Sequence, residues 1–352
     1  MMSNTSKALK VFTGLAAIAM LTPLAACGSS NNSSSKGSGS VSIACSQQDD
    51  FCQMMSKQIT KDTGIRAAYV RLGSGEILAR LATNPGEFDA WIGGPVENHL
   101  IADSKGWLEH YVSPSTKNYQ AKYKDAKGTW SGVYTDSLGF CSNSVELKKK
   151  GLKAPTSWND LLNPKLEKSI GMPHPSTAGA GYDAIYTQAM LHGGDLEQAM
   201  DYFKKLSPNI MQYSKAAATG TEQAGRGEVT VAISLDSDCV KAKEAGYKDL
   251  VTSYPAEGAG YDVGGVSIMK QGHNKENAKK VVDWVLGPKF QTMYPDIPTY
   301  VSPTNPQVKA GKDAPDQSKV KHVKWNMQQS ANSREKFIDA FAKEVSSSSN
   351  AK

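Results

Sequence analysis

Short apolar runs of strand length alternate with amphipathic stretches over the first third of the chain. The apolar runs are residues 41–46, 65–72 and 88–94. The first amphipathic stretch has Asp49 or Asp50 as its predicted N-cap and ends at Gly64,. Strands that alternate with helices in this way predict βαβ units, a mostly parallel sheet and an α/β fold.

The same alternation continues through the middle of the chain. Residues 130–143 contain two strand-like runs, and shorter runs follow at 169–172 and 229–234. The stretch at 275–287 is an amphipathic surface helix,. About 310 residues remain after the first 40, which is more than one hydrophobic core normally serves, so we expect two lobes.

Polar and glycine-rich loops follow the first three strands, at residues 46–50, 73–76 and 93–97. Ligands on parallel sheets bind beyond the carboxyl ends of the strands. The candidate binding residues in and beside these loops are Ser46, Gln47, Gly73, Ser74, Gly75, Trp91 and Gly94. Trp91 lies in a buried-strand pattern, so a core role is an equal alternative for it.

A second candidate loop occupies residues 172–182, MPHPSTAGAGY. Its prolines end the preceding strand, and Ser176 and Thr177 are good N-caps for the helix that follows. Gly179 and Gly181 allow a ligand to approach the backbone closely. Together with Ser74 and Gly75, this loop predicts two helix N-termini that face each other and bind one tetrahedral oxyanion. An ordinary Pro/Gly loop that caps a helix is the alternative.

Further hydroxyls, carboxylates and aromatic rings lie near other predicted loops. Carboxylates and aromatic faces suit an ammonium group, so a zwitterion with an anionic end and an amine would use both kinds of group. These additional candidate ligand-binding residues are Tyr182, Thr219, Ser234, Asp236, Tyr261 and Asp262.

The N-terminus has the pattern of an export signal followed by a flexible tether. Residues 1–27 combine Lys7 and Lys10 with an apolar run and end in Leu-Ala-Ala-Cys27,. This end resembles the lipobox of bacterial lipoproteins, which implies cleavage before Cys27 and acylation of its thiol. A signal with a simple small-residue cleavage site is the alternative. Residues 28–40 are a polar tether with nothing to bury,.

The charge and cysteine counts narrow the classes of function. Loss of the two signal lysines lowers the net charge from +6 to +4, and no basic patch interleaved with aromatics indicates nucleic-acid binding. Four cysteines remain besides Cys27, which in an exported protein favours two disulfides with three possible pairings,. We favour Cys45–Cys52 and Cys141–Cys239. No cysteine or histidine spacing indicates a metal site or a cofactor.

Three segments in this order resemble the extracellular solute-binding proteins of ABC importers, in the ferric-ion, thiamine and phosphonate branch. They are DAWIGGPVENHLIADSKGWLEHYVSP, APTSWNDLLNPKLEKSIGMPHPSTAGAGY and YPAEGAGYDVGGVSIMKQGHNKENAKKVVDWVL. The last two look closest to the 2-aminoethylphosphonate branch. The resemblance implies a two-lobed type II periplasmic-binding-protein clamp with crossover strands, which closes on its ligand by hinge bending.

The resemblance also implies an organisation and a set of partners. Lobe 1 would comprise residues 41–136 and 240–300, lobe 2 residues 137–239, and residues 301–352 the C-terminal helices and a disordered tail. The protein would be a monomeric receptor at the cell surface or in the periplasm, held to the membrane only by its lipid. It would deliver its solute to an ABC permease and its ATPase.

The ligand and the class of function both have alternatives. Ferric-binding members use adjacent tyrosines, and no Tyr-Tyr pair occurs in this sequence. Thiamine or its phosphate would suit aromatic walls beside an anion site. A hydrolase is the competitor outside transport, although the G-x-S-x-G elbow is absent and the six histidines are scattered,. A lipid-anchored adhesin without a cleft is the other.

Overall fold

The computed structural model describes residues 39–346. The predicted signal, Cys27 and nearly all of the tether lie outside the described residues, as does the tail from 347 onwards. The strands are β1 Ser40–Ser46, β2 Arg66–Arg71, β3 Ala90–Pro95, β4 Leu108–Glu109, β5 Ser131–Asn143, β6 Ile170–Pro173, β7 Ile210–Ser214, β8 Val231–Leu235, β9 Leu250–Ser253, β10 Tyr261–Met269 and β11 Ser302–Pro303.

Helices connect most of these strands and confirm the alternating pattern. They are α1 Asp49–Thr63, α2 Ser74–Thr83, α3 Val96–Ser104, α4 Ser144–Lys149, α5 Gly179–Leu191, α6 Leu196–Leu206, α7 Thr219–Gly225, α8 Asp236–Glu244, α9 Lys275–Leu286, α10 Pro288–Gln291 and α11 Met327–Phe341. No helix within residues 39–346 has both the length and the apolar character that a bilayer crossing requires.

The sheet has two halves that share strand β5. Its order is β2-β1-β3-β10-β5-β8-β6-β7. β1 lies parallel to β2 and β3 in the first half, and β6 lies parallel to β7 and β8 in the second. β5 pairs antiparallel with β10 as far as Ser137 and with β8 from Leu138 onwards. The prediction of two separate runs at 130–143 was wrong, because one continuous strand passes from one half to the other.

Each half has its own hydrophobic core. The first half packs α1 and α9 on β1, β3 and β10, with Phe51, Val281 and Phe290 fully buried. The second half packs α5, α6 and α11 around β6 and β8, with Phe203 and Phe341 fully buried. Two cores joined by one shared strand bring the carboxyl ends of both parallel sets toward the same cleft.

The predicted division at residue 239 does not coincide with a boundary in the structure. It falls inside α8, and β9 pairs with β5 in the second half of the sheet. The second half therefore extends to at least Ser253. The rest of the predicted lobe division stays a prediction.

Two predicted helix caps were wrong. Gln48 is the N-cap of α1, and Asp49 and Asp50 lie in its first turn. Ala178 is the N-cap of α5, so Ser176 and Thr177 precede the helix. They precede it because residues 174–178 form a turn of their own, in which the N–H groups of Thr177 and Ala178 both donate to the His174 carbonyl.

Both favoured disulfides are present. Cys45–Cys52 joins the end of β1 to the first turn of α1, and Cys141–Cys239 joins β5 to α8. Each one therefore ties a helix that borders the cleft to a strand of its own half.

Candidate functional site

A cavity lies at the carboxyl ends of the strands, where the two halves meet. Its walls come from both halves of the sheet. The lining residues are Ser46, Gln47, Gln48, Arg71, Leu72, Gly73, Ser74, Gly94, Pro95, Tyr134, Ala178, Gly179, Ala180, Lys215, Ala216, Ala217, Ala218, Leu235, Asp238 and Asp262.

The N-termini of α2 and α5 converge at this cavity. The Gly75 N–H donates to the Thr177 carbonyl at 3.3 Å across the cleft. A Cβ atom on Gly73 would lie 2.4 Å from the Thr177 carbonyl oxygen, and one on Gly179 would lie 2.6 Å from Pro95. Glycine is thus required at both positions for the helix ends to approach this closely.

Helix ends in this arrangement attract an anion. The first N–H groups of an α-helix have no acceptor within the helix, and the helix dipole places positive charge there. Ser74 begins α2, Gly179 begins α5, and both line the cavity.

Ser74 adds a hydroxyl to this wall. Its side chain is only 3% exposed, and its Oγ has no hydrogen-bond partner among residues 39–346. Buried hydroxyls are normally paired. An unpaired Oγ between two helix N-termini therefore indicates a place for an external acceptor.

Two cationic side chains also reach the cavity. Lys215 lies in the loop after β7, and Arg71 ends β2. The Arg71 Nε donates to the Gln47 carbonyl at 3.0 Å, which holds the guanidinium beside the loop before α1. Both charges favour a negatively charged guest.

Two carboxyl groups also line the cavity. Asp262 is 4% exposed, and its Oδ1 has no partner in the described part of the chain. Burial and the nearby charge of Glu97 raise the pKa of Asp262 well above its usual value. Asp238 accepts hydrogen bonds from Gln48 and from Ser234, and burial raises its pKa to about 6.

Behind the cavity lies a buried ionisable cluster that the sequence analysis missed. It contains Glu97 at the start of α3, Asp183 in α5 and Arg334 in α11. Burial raises the pKa of Glu97 to about 7, although the Trp325 Nε1 donates to its Oε1 at 2.5 Å. Burial and the charges of Asp262 and Glu97 raise the pKa of Asp183 well above its usual value.

Arg334 supports the loop before α5. Its Nη2 donates to the Pro175 carbonyl at 3.2 Å, and its guanidinium lies 5.3 Å from the centre of the Tyr182 ring. No local pattern marks Arg334 in the sequence, because it lies 159 positions beyond Pro175, which it contacts. Glu97 is the last residue of the predicted loop at residues 93–97, so the sequence indicated its position but not its place in a buried ionisable cluster.

The structure brings seven predicted residues together in the cavity wall. They are Ser46, Gln47, Gly73, Ser74, Gly94, Gly179 and Asp262. Thr219 lies in an outer groove instead, beside Asp50 and Lys241.

The hydroxyls of Ser176 and Thr177 do not line the cavity. Ser176 Oγ forms a hydrogen bond with His174 Nδ1 at 2.7 Å. Thr177 Oγ1 lies 3.4 Å from the His174 carbonyl oxygen. Gly75 also lies outside the lining, and its N–H donates a hydrogen bond to the Thr177 carbonyl. The two hydroxyls lie outside the lining because hydrogen bonds within the loop hold them to His174.

The three predicted aromatic ligand residues do not line the cavity either. Trp91 is fully buried, donates to Ser46 Oγ at 2.9 Å and stacks on His99. The Tyr182 hydroxyl donates to the Ser330 carbonyl at 2.6 Å. The Tyr261 hydroxyl donates to Tyr123 at 3.1 Å.

Ser234 and Asp236 also lie outside the cavity lining. Ser234 Oγ also lies 3.2 Å from the Ala217 carbonyl oxygen. Asp236 accepts a hydrogen bond from the Tyr254 hydroxyl at 2.8 Å. Burial, and then the charge of Asp236, raises the pKa of Asp136 well above its usual value. Asp238, two residues later, is the carboxylate that lines the cavity. Both acids begin α8, so the sequence alone does not separate their roles.

The lining residues that the sequence analysis did not select are mostly small or apolar. Ala178, Ala180 and residues 216–218 are alanines and offer no recognisable functional group. Of the lining residues that were not selected, Gln48 and Asp238 could have been found from the sequence. Gln48 follows the selected Gln47, and Asp238 lies two residues after the selected Asp236. In the part of the chain that the structure describes, no group of three or more histidine, cysteine, aspartate or glutamate side chains is placed to hold a metal ion.

Comparison with known proteins gives one matching family and several relatives. The family described as bacterial extracellular solute-binding protein matches residues 93–330. The solved structure of the periplasmic binding protein AfuA from Actinobacillus pleuropneumoniae, with exogenous fructose-6-phosphate bound, is 34% identical. Its TM-score is 0.83, and the match covers 87% of this chain and 98% of that one.

Two curated sequences are also similar. An uncharacterised Haemophilus influenzae protein is 29% identical over 93% of this chain and 97% of its own length. A Salmonella typhimurium protein, provisionally named as a 2-aminoethylphosphonate-binding periplasmic protein, is 26% identical over 71% of this chain and 73% of its own.

Proposed function

The chain belongs to the family of bacterial extracellular solute-binding proteins, and we propose that its ligand is a small organic solute carrying a phosphate or phosphonate group. The fold is the two-lobed clamp of periplasmic binding proteins. Proteins of this kind bind a solute and deliver it to the permease of an ABC importer; they are not enzymes.

The observation that carries the proposal is the unpaired Ser74 Oγ between the N-termini of α2 and α5. A tetrahedral oxyanion placed there would accept hydrogen bonds from this hydroxyl and from first-turn N–H groups of both helices. Hydrogen bonds to a charged acceptor contribute about 1.5–3 kcal/mol each. Three or four of them, offset by the entropy of association, correspond to micromolar binding or tighter.

The acidic residues of the lining support an organic ligand rather than a bare anion. Asp262 and Asp238 present carboxylates to the same cavity, and carboxylates accept hydrogen bonds from hydroxyl or ammonium groups. A sugar phosphate offers hydroxyls and an aminophosphonate offers an ammonium. The relatives named for fructose-6-phosphate and for 2-aminoethylphosphonate support these two chemistries.

The proposal is tested by calorimetry against a small panel of compounds. The panel contains fructose 6-phosphate, 2-aminoethylphosphonate, inorganic phosphate, fructose, thiamine and ferric citrate. We expect binding of a phosphorylated or phosphonylated organic compound at least tenfold tighter than inorganic phosphate. Binding of thiamine or ferric citrate with no response to any phosphorus compound would contradict the proposal.

Replacement of Ser74 by alanine is the matching site test. Because Ser74→Ala removes one hydrogen bond to a charged acceptor, affinity should fall about tenfold, as measured by the same calorimetry. Ser104→Ala is the control, since Ser104 is an exposed residue that ends α3. Equal affinities in the two variants would show that the anion is bound elsewhere.

We also propose that the mature protein is a monomer attached to the membrane through a lipid on Cys27. The lipobox-like sequence and the polar tether support this attachment. Mass spectrometry of the purified N-terminal peptide tests it, and an unmodified Cys27 within an intact signal would contradict it.

A further inference from the structure

Two polar contacts cross the cleft on its outer side. Gln48, before α1, donates from its Nε2 to the Asp238 carboxylate in α8. Asp50, in the first turn of α1, forms an ion pair with Lys241, one turn further along α8. α1 belongs to the first half of the molecule and α8 to the second, so these contacts exist only when the cleft is closed.

The ion pair lies outside the proposed ligand site. Asp50 and Lys241 line the outer groove together with Thr219 and Glu222, and neither lines the cavity. Their side chains are 36% and 23% exposed. A substitution in this pair changes the contact between the halves without removing a group that would touch the ligand.

Each side of these contacts is braced by one of the two disulfides. Cys45–Cys52 encloses the segment that carries Gln48 and Asp50. Cys239 directly follows Asp238, and its bond to Cys141 ties the start of α8 to β5. The loop before α1 and the first turn of α8 are therefore held to their own sheets at the places where they meet.

We propose that Asp50 and Lys241, each positioned by its neighbouring disulfide, form a latch that stabilises the closed clamp and so tightens binding of whatever solute the cavity holds. The inference rests on the proposed function of the chain as a solute-binding clamp. The apparent affinity of a ligand scales with the fraction of protein in the binding-competent state. The latch raises that fraction, and it does so equally for every ligand that requires closure.

The first experiment measures affinity in latch variants by calorimetry, with fructose 6-phosphate and 2-aminoethylphosphonate as probes. Asp50→Asn and Lys241→Met should each weaken binding about two- to fivefold, as expected for a partly exposed ion pair. The factor should be the same for each probe that binds. The double variant should lose no more than one single variant, and the charge-swapped variant D50K/K241D should recover most of the affinity.

Lys243→Met is the matched control, since Lys243 is an exposed lysine on the same helix. It should bind as the natural protein does. Unchanged affinity in D50N and K241M, losses that multiply in the double variant, or an equal loss in K243M would overturn the latch.

The role of the disulfides is tested in the background C45S/C52S and, separately, C141S/C239S, at a temperature where melting curves show the variant folded. If the disulfides position the latch, Lys241→Met should have no further effect on affinity in either background. A two- to fivefold loss that persists in both would overturn the bracing role.

A measurement without ligand separates this inference from the proposed function. By small-angle scattering, D50N/K241M should have a larger radius of gyration than K243M, because its clamp is open more often. If none of the probes binds but the radii differ in this way, the proposed ligand class is wrong and the latch stands. If a probe binds but the radii and the affinities are equal, the latch is wrong and the proposed function stands.

Discussion

Ser74 and Asp262 are buried in the cavity wall, yet each keeps one oxygen without a hydrogen-bond partner among residues 39–346. A buried polar group left unpaired costs about 1–3 kcal/mol. Without a ligand, the site therefore lowers the stability of the folded protein, and a ligand that forms hydrogen bonds with these groups would restore it. Ligand binding should raise the melting temperature, and the rise should grow with the logarithm of the ligand concentration once that concentration exceeds Kd.

Glu97 should make the stability of the protein depend on pH. Burial raises its pKa from 4.5 to about 7, so the folded state keeps a proton that the unfolded state has already released. The free energy of unfolding should thus fall as pH rises from about 4.5 to about 7, by about 3 kcal/mol for this group. Denaturant titrations at pH 5, 6, 7 and 8 measure the effect.

Glu97→Gln should show a shallower fall over this range, because glutamine has no proton to lose. Asp183 and Asp262 also have raised pKa values. The free energy of unfolding of Glu97→Gln should therefore still fall somewhat as pH rises. Glu335→Gln, an exposed change on α11, should follow the natural protein. Parallel curves for Glu97→Gln and the natural protein would contradict the assignment.

At the scale of elements, the close approach of α2 to α5 depends on Gly75. A Cβ atom there would lie 2.0 Å from the Ser176 carbonyl oxygen. Gly75→Ala should thus keep the two helix N-termini apart and weaken binding of the phosphorylated ligand at least tenfold. Alanine also favours helix over glycine by up to about 1 kcal/mol, so α2 itself should still form.

Calorimetry for affinity and circular dichroism for folding check this variant together. Thr83→Ala, at the exposed end of α2, is the control and should bind normally. Gly75→Ala that is folded and binds with natural affinity would show that the two helix ends need not meet.

At the scale of elements, the structure also shows which features a local sequence pattern predicts and which it does not. The alternating strands and helices were predicted from apolar periodicity, which local residues determine. Strand β5 was misread as two runs because its residues from Ser131 to Asn143 are buried throughout. They are buried because β5 contacts both halves, which is a property of the assembled sheet rather than of the segment.

For the whole molecule, the bond between Cys141 and Cys239 spans 98 residues of sequence. A crosslink over so long a loop restricts the unfolded chain strongly and stabilises the folded state by roughly 2–5 kcal/mol. C141S/C239S should lower the melting temperature by several degrees in a thermal scan. C45S/C52S should lower it less, because that bond spans only 7 residues.

An equal drop in the two serine variants would show that loop length does not control the effect. Free thiols at Cys141 and Cys239, found by mass spectrometry of the natural protein, would show that this disulfide does not form.

The sequence by itself determined the α/β class, the expectation of two disulfides and most of the loops that border the cavity. These depend on local periodicity, on glycine and on cysteine number, which can be read from neighbouring residues. The choice among candidate side chains came only from the tertiary structure. Asp238 faces the cavity while Asp236 faces Asp136, and Ser74 keeps its hydroxyl unpaired while Ser176 bonds to His174.

Arg334 and the pair Asp50–Lys241 show the same limit over longer distances. Arg334 contacts Pro175, 159 positions earlier in the chain, and Lys241 pairs with a residue 191 positions away. Nothing in the residues around them distinguishes these side chains from ordinary solvated ones. Their contacts arise because a shared strand brings two independently packed halves together, and packing across that distance leaves no local pattern in the sequence.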